Sequence, residues 1–185
     1  LVVKGKFYDA VVAYTMEQAQ KAFYKLSAKW GFPIIVQQFI SGTEINVAVL
    51  GDGNGTAISV IPMRKLYITD KGKAWAGITL EDESLIQLAQ TFVSATKWKG
   101  GCELEIMRSA DGKPYIMEIN PRFPAWIYLS AGAGQNQPAS LVKLAIGEKV
   151  EPFKEYQVGK IFIRYAWDHI MDVSEFQQIS AFGEL

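Results

Sequence analysis

Hydrophobic residues recur with two different periods along the chain, and the first regular pattern predicts two short strands followed by a helix. The strands cover residues 1–5 and 9–15. Thr15 and Gln18 then have the spacing of a capping box, and the helix that they begin is predicted to end at Gly31. Its buried face repeats at helical period and consists of Ala19, Ala22, Phe23, Leu26 and Trp30.

The middle of the chain alternates between apolar and polar residues, which is the period of a half-buried strand. Residues 34–40 form one apolar strand. Residues 44–50 and 56–68 are predicted to pair antiparallel, because the turn-rich sequence GDGNG at residues 51–55 joins them. This part of the chain is therefore predicted to form a sheet.

Helical period returns over residues 82–98, and Gly100–Gly101 is predicted to stop this helix. Its buried face consists of Leu85, Leu88, Ala89, Phe92 and Thr96. The remaining predicted elements are strands at 102–109 and 113–120, a helix near 137–146 that begins after Asn136 and ends at Gly147, and a strand at 159–166. Because strands outnumber helices and most neighbours are antiparallel, the predicted fold class is α+β.

The strongest hairpin signal lies in residues 102–122, CELEIMRSADGKPYIMEINPR, where an Asp-Gly pair separates two alternating runs. A turn centred on Asp111 and Gly112 places Glu105 opposite Glu118. The same count gives three further pairs, which are Glu103 with Asn120, Leu104 with Ile119, and Ile106 with Met117. One face of the hairpin is therefore predicted to be apolar and the other to be rich in carboxylates.

Two glutamates directly opposite each other repel, at a cost of roughly 0.2–1 kcal/mol. A divalent cation between Glu105 and Glu118 would remove this cost, and Asn120 would add an amide oxygen to a ligand set that suits Mg²⁺. Arg122 follows two residues later and could reach phosphate oxygens with its charged fork. The alternative is a solvated strand face whose acids are simply exposed, and the spacing alone does not choose between the two.

Composition narrows the classes of protein. The 19 basic residues balance the 19 acidic ones, so the basic surplus usual for nucleic-acid binding is lacking. The apolar runs, such as residues 34–36, are all far shorter than the roughly 20 residues of a membrane span. The single cysteine, Cys102, cannot form an internal disulfide, which favours a reducing cytoplasm. We therefore expect a cytoplasmic protein without nucleic-acid or membrane partners, and a start at Leu1 rather than Met leads us to expect a fragment.

The segment EINPR at residues 118–122 resembles the E-x-N-P-R signature of ATP-grasp enzymes, especially of the branch that contains the carbamoyl-phosphate synthase large subunit and biotin carboxylase. An upstream acid, Glu105, stands at the family's spacing. The resemblance implies that Glu105, Glu118 and Asn120 bind Mg²⁺ or Mn²⁺. It also implies that Arg122 faces the phosphates of ATP as a catalytic residue.

The sequence VQQFISGTE at residues 36–44 is similar to the hinge of the same family. The resemblance implies that the main chain of this hinge binds the adenine edge and that its last residue, Glu44, binds the ribose hydroxyls. Gln38 departs from the family, in which an acid is common at this position. On its own the segment fits a buried strand equally well. The implied adenine contacts are Gln37, Gln38, Phe39 and Ile40.

The third similar segment, VVKG at residues 2–5, matches the strand-end lysine of the family, and Lys4 is thereby implied to touch the phosphates. The family continues with a glycine-rich loop, whereas this chain continues with GKFYDA, which is a departure that puts closure over the phosphates in doubt. Arg64 and Lys65 follow a strand that faces the phosphates in the family. They could orient an acyl-phosphate, or they form an exposed basic pair.

The resemblance covers about residues 1–148 and implies an ATP-grasp fold: two lobes of mainly antiparallel sheet with packed helices, incomplete at the N-terminus. Residues 1–42 would belong to the smaller lobe and residues 43–148 to the larger lobe with the metal hairpin. Residues 149–185 would be a C-terminal extension of the same domain.

The implied function is that of an ATP- and Mg²⁺-dependent ligase. Such an enzyme activates a carboxylate or bicarbonate as an acyl-phosphate, which an amine or similar nucleophile then attacks. The expected partners are ATP and a small-molecule carboxylate acceptor, and a homodimer is left open. The alternative is a regulatory or degenerate nucleotide-binding module without ligase activity.

Overall fold

A computed structural model of the chain describes residues 1–5, 9–69, 74–168 and 170–183. Its elements, in chain order, are β1 Val2–Lys4, β2 Ala10–Val12, α1 Met16–Trp30, β3 Ile35–Gln37, β4 Gly42–Asp52, β5 Ala57–Ile68, β6 Ala74–Thr79, α2 Glu83–Thr96, β7 Lys99–Ser109, β8 Pro114–Asn120, α3 Tyr128–Gly132, α4 Gln137–Ala145, β9 Ile161–Ile163 and α5 Val173–Phe182. Hydrogen bonds join the strands into two sheets, with the orders β2-β1-β3 and β8-β7-β4-β5-β6-β9. The pairs within both sheets are antiparallel, which confirms the α+β class.

The small sheet packs against α1. The capping prediction is confirmed, because the Gln18 amide donates to Thr15 Oγ1 at 3.2 Å, while Gln18 Oε1 accepts from the amide of Tyr14 at 2.9 Å. The predicted stripe is buried at Ala19, Ala22 and Leu26, and these residues form a core with Val3. The three strands are shorter than predicted.

The large sheet contains the paired strands β4 and β5 that alternation predicts, with Val49 opposite Val60 across the turn. The sequence patterns did not predict β6, α3 or α5. The predicted stop of α2 at Gly100–Gly101 is wrong. The helix ends at Thr96, its C-cap Lys97 adopts a left-handed conformation at φ 49°, and the two glycines belong to β7.

The large sheet has an apolar core on each face. One face is covered by α2, and its buried cluster is Ile45, Val47, Val49, Val60, Leu85, Ala89, Val93, Cys102, Leu104 and Ile106. The opposite face is covered by the chain after β8, and its cluster is Ala48, Ile61, Met63, Ala74, Trp126, Leu129 and Ala133. Burial of Cys102 beside Glu103 raises the pKa of its thiol to about 12, so this thiol is unreactive in the folded chain.

A buried glutamine fixes α4 on the second face. The side-chain amide of Gln137 donates to the main-chain oxygen of Ala48 at 3.0 Å and to Ser59 Oγ at 2.8 Å. Asn136 caps the same helix as predicted, because its Oδ1 accepts from the amide of Ala139 at 3.1 Å. These contacts anchor the chain that follows the hairpin onto the sheet.

Among the described residues, no helix has the length and apolar character needed to cross a membrane.

We expect Asp82→Ala to lower the free energy of unfolding by about 1 kcal/mol. Asp82 Oδ1 accepts from the Leu85 amide at 3.2 Å at the start of α2, and its carboxylate also forms an ion pair with Arg108 on β7. Urea denaturation followed by circular dichroism measures the change. The matched control is Asp172→Ala, because Asp172 starts α5 without a capping side-chain bond. Equal losses in the two variants would contradict the assignment of the cap.

Candidate functional site

The β7–β8 hairpin has the predicted register at its carboxylates. Glu105 lies opposite Glu118, Glu103 opposite Asn120, and Leu104 opposite Ile119. Nearer the turn the prediction is wrong, because Ile106 pairs with Ile116 rather than with Met117. The register shifts between Glu105 and Ile106, so that Met117 is the extra residue of a β-bulge.

The turn explains this shift. The Ser109 amide bonds to the Lys113 oxygen at 3.0 Å, so the turn holds three residues, 110–112, rather than two. A three-residue turn alone would move the whole ladder by one position and send Glu118 to the opposite face of the sheet. The extra residue at Met117 shifts the ladder back by one position. It therefore keeps Glu118 and Asn120 on the same face as Glu103 and Glu105.

The side chains at the end of the hairpin form a connected row. Asn120 Nδ2 donates to Glu105 Oε1 at 3.1 Å, and Arg122 Nη2 donates to Asn120 Oδ1 at 3.3 Å. Arg122 Nη1 also donates to the main-chain oxygen of Phe123 at 3.3 Å. The structure thus brings together four residues that the sequence singled out, Glu105, Glu118, Asn120 and Arg122.

The neighbouring strands complete this face with charge of both signs. Burial raises the pKa of Glu105, the positive charge of Lys65 opposes this shift, and the nearby acids Glu103, Glu118 and Glu44 reinforce it. Lys65 on β5 forms an ion pair with Glu44 on β4. Lys65 is thus the member of the predicted basic pair that reaches the site, whereas the side chain of Arg64 is exposed.

Glu103 is buried, although it was not among the predicted ligands. Its Oε1 accepts from Asn46 Nδ2 and from Trp126 Nε1, each at 2.9 Å. Its Oε2 lies 3.8 Å from Arg122 Nη1. Sequence reasoning placed Glu103 opposite Asn120 but could not find its partners, because Asn46 is 57 residues away along the chain.

The donor set fits a hard cation. Glu105 and Glu118 supply carboxylate oxygens across one register pair, and Asn120 supplies an amide oxygen. A further oxygen is Oδ1 of the buried Asn46, which is the register partner of Glu105. This oxygen has no hydrogen-bond partner within the described part of the chain. Among the described residues, no three His, Cys, Asp or Glu side chains are grouped closely enough to hold a metal ion. A cation here therefore depends on amide oxygens as well as carboxylates.

The predicted nucleotide residues lie on β1, on β3 and the chain after it, and on β4, which carries Glu44. Lys4 ends β1 and pairs with Ile35, and Gln37 ends β3 and pairs with Val2. Residues 38–40 belong to no strand or helix. No hydrogen bond or ion pair among the described residues joins Lys4 or residues 37–40 to the hairpin. Of the segment GKFYDA, residues 6–8 lie outside the described residues.

Residues 32–163, more than half of the chain, match the family described as "ATP-grasp in the biosynthetic pathway with Ter operon". The chain belongs to this ATP-grasp family. The predicted ATP-grasp fold is confirmed by this match and by solved structures that align with 86% of the chain. The signature at residues 118–122 is therefore carried by the fold in which such a signature is expected.

Two solved structures illustrate the ATP-grasp fold. The biotin carboxylase complex from Campylobacter jejuni aligns with a TM-score of 0.66 at 15% identity and covers 86% of this chain and 40% of its own. The biotin carboxylase domain dimer of 2-oxoglutarate carboxylase from Hydrogenobacter thermophilus, solved with MgADP, ADP and bicarbonate, has a TM-score of 0.65 at 16% identity and covers 86% and 39%. Identities this low show the fold alone, so the branch within the superfamily stays a prediction.

A curated relative of this ATP-grasp chain is the D-alanine–D-alanine ligase of Xanthomonas axonopodis pv. citri (strain 306). It is 29% identical over 119 residues, which cover 59% of this chain and 37% of the ligase. The chain spans little more than a third of the length of such curated relatives.

Proposed function

We propose that this chain is the ATP- and Mg²⁺-binding part of an ATP-grasp ligase that activates a carboxylate or bicarbonate as an acyl-phosphate. The observation that carries the proposal is the register pair of Glu105 and Glu118, which sets two glutamates against each other beside Asn120 and Arg122. Like charges in a ladder destabilise it. A pair of glutamates that lowers the stability of the sheet, at the start of the E-x-N-P-R segment, is best explained by a cation that binds there.

In the proposed reaction the acceptor carboxylate attacks the γ-phosphorus of ATP. A new P–O bond forms, the bond to the bridging oxygen of ADP breaks, and ADP leaves with that electron pair. An amine or similar nucleophile then attacks the acyl carbon, loses a proton and displaces inorganic phosphate. Catalysis of this kind is positioning and charge stabilisation rather than covalent chemistry by the protein.

The residues of the chain have separate roles in this proposal. Glu105, Glu118 and Asn120 would hold Mg²⁺ or Mn²⁺, which neutralises phosphate charge when bound. Arg122, whose side chain is 61% exposed, would present its guanidinium to phosphate oxygens. Lys65 pairs with Glu44, and its positive charge also acts on Glu105, so it balances the acids of this face.

The nucleotide would lie between the two sheets. Lys4 would contact its phosphates, the main chain of residues 37–40 its adenine edge, and Glu44 its ribose. Glu44 is paired with Lys65, so binding of ribose would require it to exchange or share this partner. Residues 1–42 and 43–148 would be the two lobes. Residues 149–185 would extend the larger one, to which they add β9 beside β6.

The test is a calorimetric titration of ATP into this chain with and without Mg²⁺. We expect binding that depends on Mg²⁺, and we expect Glu118→Gln/Asn120→Ala to weaken it by at least about 10–100-fold, because even outer partners of metal sites contribute that much. The matched control is Glu151→Gln, since Glu151 is an exposed acid paired only with Lys149 among the described residues.

An affinity for ATP that changes neither on removal of Mg²⁺ nor on the double substitution would contradict the proposed metal site. Release of ADP that depends on an added carboxylate acceptor separates a ligase from a regulatory nucleotide-binding module. A module without ligase activity would bind MgATP and release no ADP with any acceptor.

A further inference from the structure

We infer that Glu103 is a positioning residue, which fixes the guanidinium of Arg122 so that it faces the phosphates of bound ATP. This inference rests on the proposed function, since it assigns a partner to the arginine of that site. It concerns a residue that is not part of the E-x-N-P-R segment. Glu103 lies on the neighbouring strand, opposite Asn120.

The first observation is the way in which Glu103 is held. Its side chain is 7% exposed, and its Oε1 accepts two hydrogen bonds of 2.9 Å, from Asn46 Nδ2 and Trp126 Nε1. Asn46 is itself 1% exposed and Trp126 is 5% exposed. The donors come from β4 and from the chain after β8, so the carboxylate is fixed from two sides and cannot rotate freely.

The second observation is the position of the other carboxylate oxygen of Glu103 relative to Arg122. Glu103 Oε2 lies 3.8 Å from Arg122 Nη1, within ion-pair range but too far for a direct hydrogen bond. Arg122 donates with its other amine to Asn120 Oδ1. A largely exposed cation, which also donates to the main-chain oxygen of Phe123, thus faces a buried anion that is held by two hydrogen bonds. Because the anion is fixed, it determines the direction in which the guanidinium extends.

A purely structural role for Glu103 is the competing explanation, since it ties Trp126 to the sheet. A neutral glutamine would serve that purpose equally well, because its carbonyl oxygen can accept both hydrogen bonds. Removing a carboxylate from water on folding is costly. The carboxylate of Glu103 also lies two positions from that of Glu105 on the same face of the sheet. The negative charge is therefore best explained by the cation that it faces, Arg122.

Glu103→Gln tests the charge alone, because it keeps both hydrogen bonds and turns an amide toward Arg122. The chain contains four arginines, so the side-chain ¹⁵N signal of Arg122 can be assigned by its loss in Arg122→Ala. In the ligand-free chain we expect Glu103→Gln to shift and narrow this signal toward that of a free guanidinium. Trp126→Phe, which loosens Glu103 but keeps its charge, is expected to shift it in the same direction and by less. It also provides a test if Glu103→Gln fails to fold.

The second measurement is the affinity for MgATP in a cycle of Glu103→Gln, Arg122→Ala and the double variant. We expect Glu103→Gln to weaken binding by about tenfold and to add less than about a twofold loss when Arg122 is already alanine. An equal loss in both backgrounds would overturn the inference in favour of a structural role. An unchanged Arg122 signal together with unchanged affinity would overturn it as well. An Arg122 signal that responds to Glu103 in a chain that does not bind MgATP would refute the proposed function and leave the positioning of Arg122 intact.

Discussion

Leu104→Ala is expected to lower the free energy of unfolding by about 2–5 kcal/mol, which is the range for removing a buried leucine side chain. Leu104 is fully buried on the face of the sheet that α2 covers, and its cluster includes Val47 and Leu85. The rigid strands on both sides cannot close the cavity, so the cost includes lost contacts as well as lost burial. Urea denaturation followed by tryptophan fluorescence measures the loss.

The matched control is Leu66→Ala in the same sheet. Leu66 is 40% exposed, and we expect a change within about 0.5 kcal/mol. Leu104 stands between Glu103 and Glu105 and points away from them, so its substitution also tests how firmly the core supports the candidate site. A loss of stability at Leu104 no larger than that at Leu66 would contradict the burial of Leu104 in the core between the large sheet and α2.

Gly101→Ala is expected to destabilise the chain by about 1–3 kcal/mol and to displace the segment that carries Arg122. A Cβ atom at Gly101 would lie 2.2 Å from Cε1 and 2.4 Å from Cδ1 of Phe123. The aromatic ring fills the space in which a side chain would stand. Since Phe123 directly follows Arg122, moving the ring moves the arginine. Denaturant unfolding measures the stability, and the ¹⁵N signal of Arg122 reports the displacement.

Gly132→Ala provides the control for this substitution. An added Cβ at Gly132 would meet no atom of the described residues within 4 Å outside its own turn of helix. Because alanine also restricts the unfolded chain, a gain of about 0.4–1 kcal/mol is expected. If Gly101→Ala were as stable as Gly132→Ala, with Arg122 unmoved, the packing of Phe123 on β7 would be refuted.

The carboxylate pairs could be predicted from the sequence because alternation and the Asp-Gly turn both act locally. The count from the turn gave the right partner for Glu105 although the turn holds three residues, since the bulge at Met117 offset the difference. The residue types did not reveal the bulge, and for this reason the partner predicted for Ile106 was wrong. A bulge is a small local change in the ladder that no strong propensity marks.

Other features were not predicted, either because their local sequence signal is weak or because they depend on tertiary contacts. The strand β6, AWAGIT, has few β-branched residues, and α3 is only five residues long, too short for a helical period to show. The role of Glu103 depends on Asn46 and Trp126, which reach it only when the sheet and the chain after β8 have assembled. The nucleotide contacts at Lys4, residues 37–40 and Glu44 stay predictions, as do the roles of the metal ligands and of Arg122.

The bulge in β8 has a consequence for how this hairpin can vary among relatives. A three-residue turn plus one bulged residue uses the same number of residues between Glu105 and Glu118 as a two-residue turn without a bulge. Evolution can therefore exchange one form for the other with neither insertion nor deletion. In such an exchange Glu105 and Glu118 keep their places, whereas residues 113–116 change sheet faces. An ungapped alignment of this hairpin thus guarantees equivalent positions at the two carboxylates but not at Ile116.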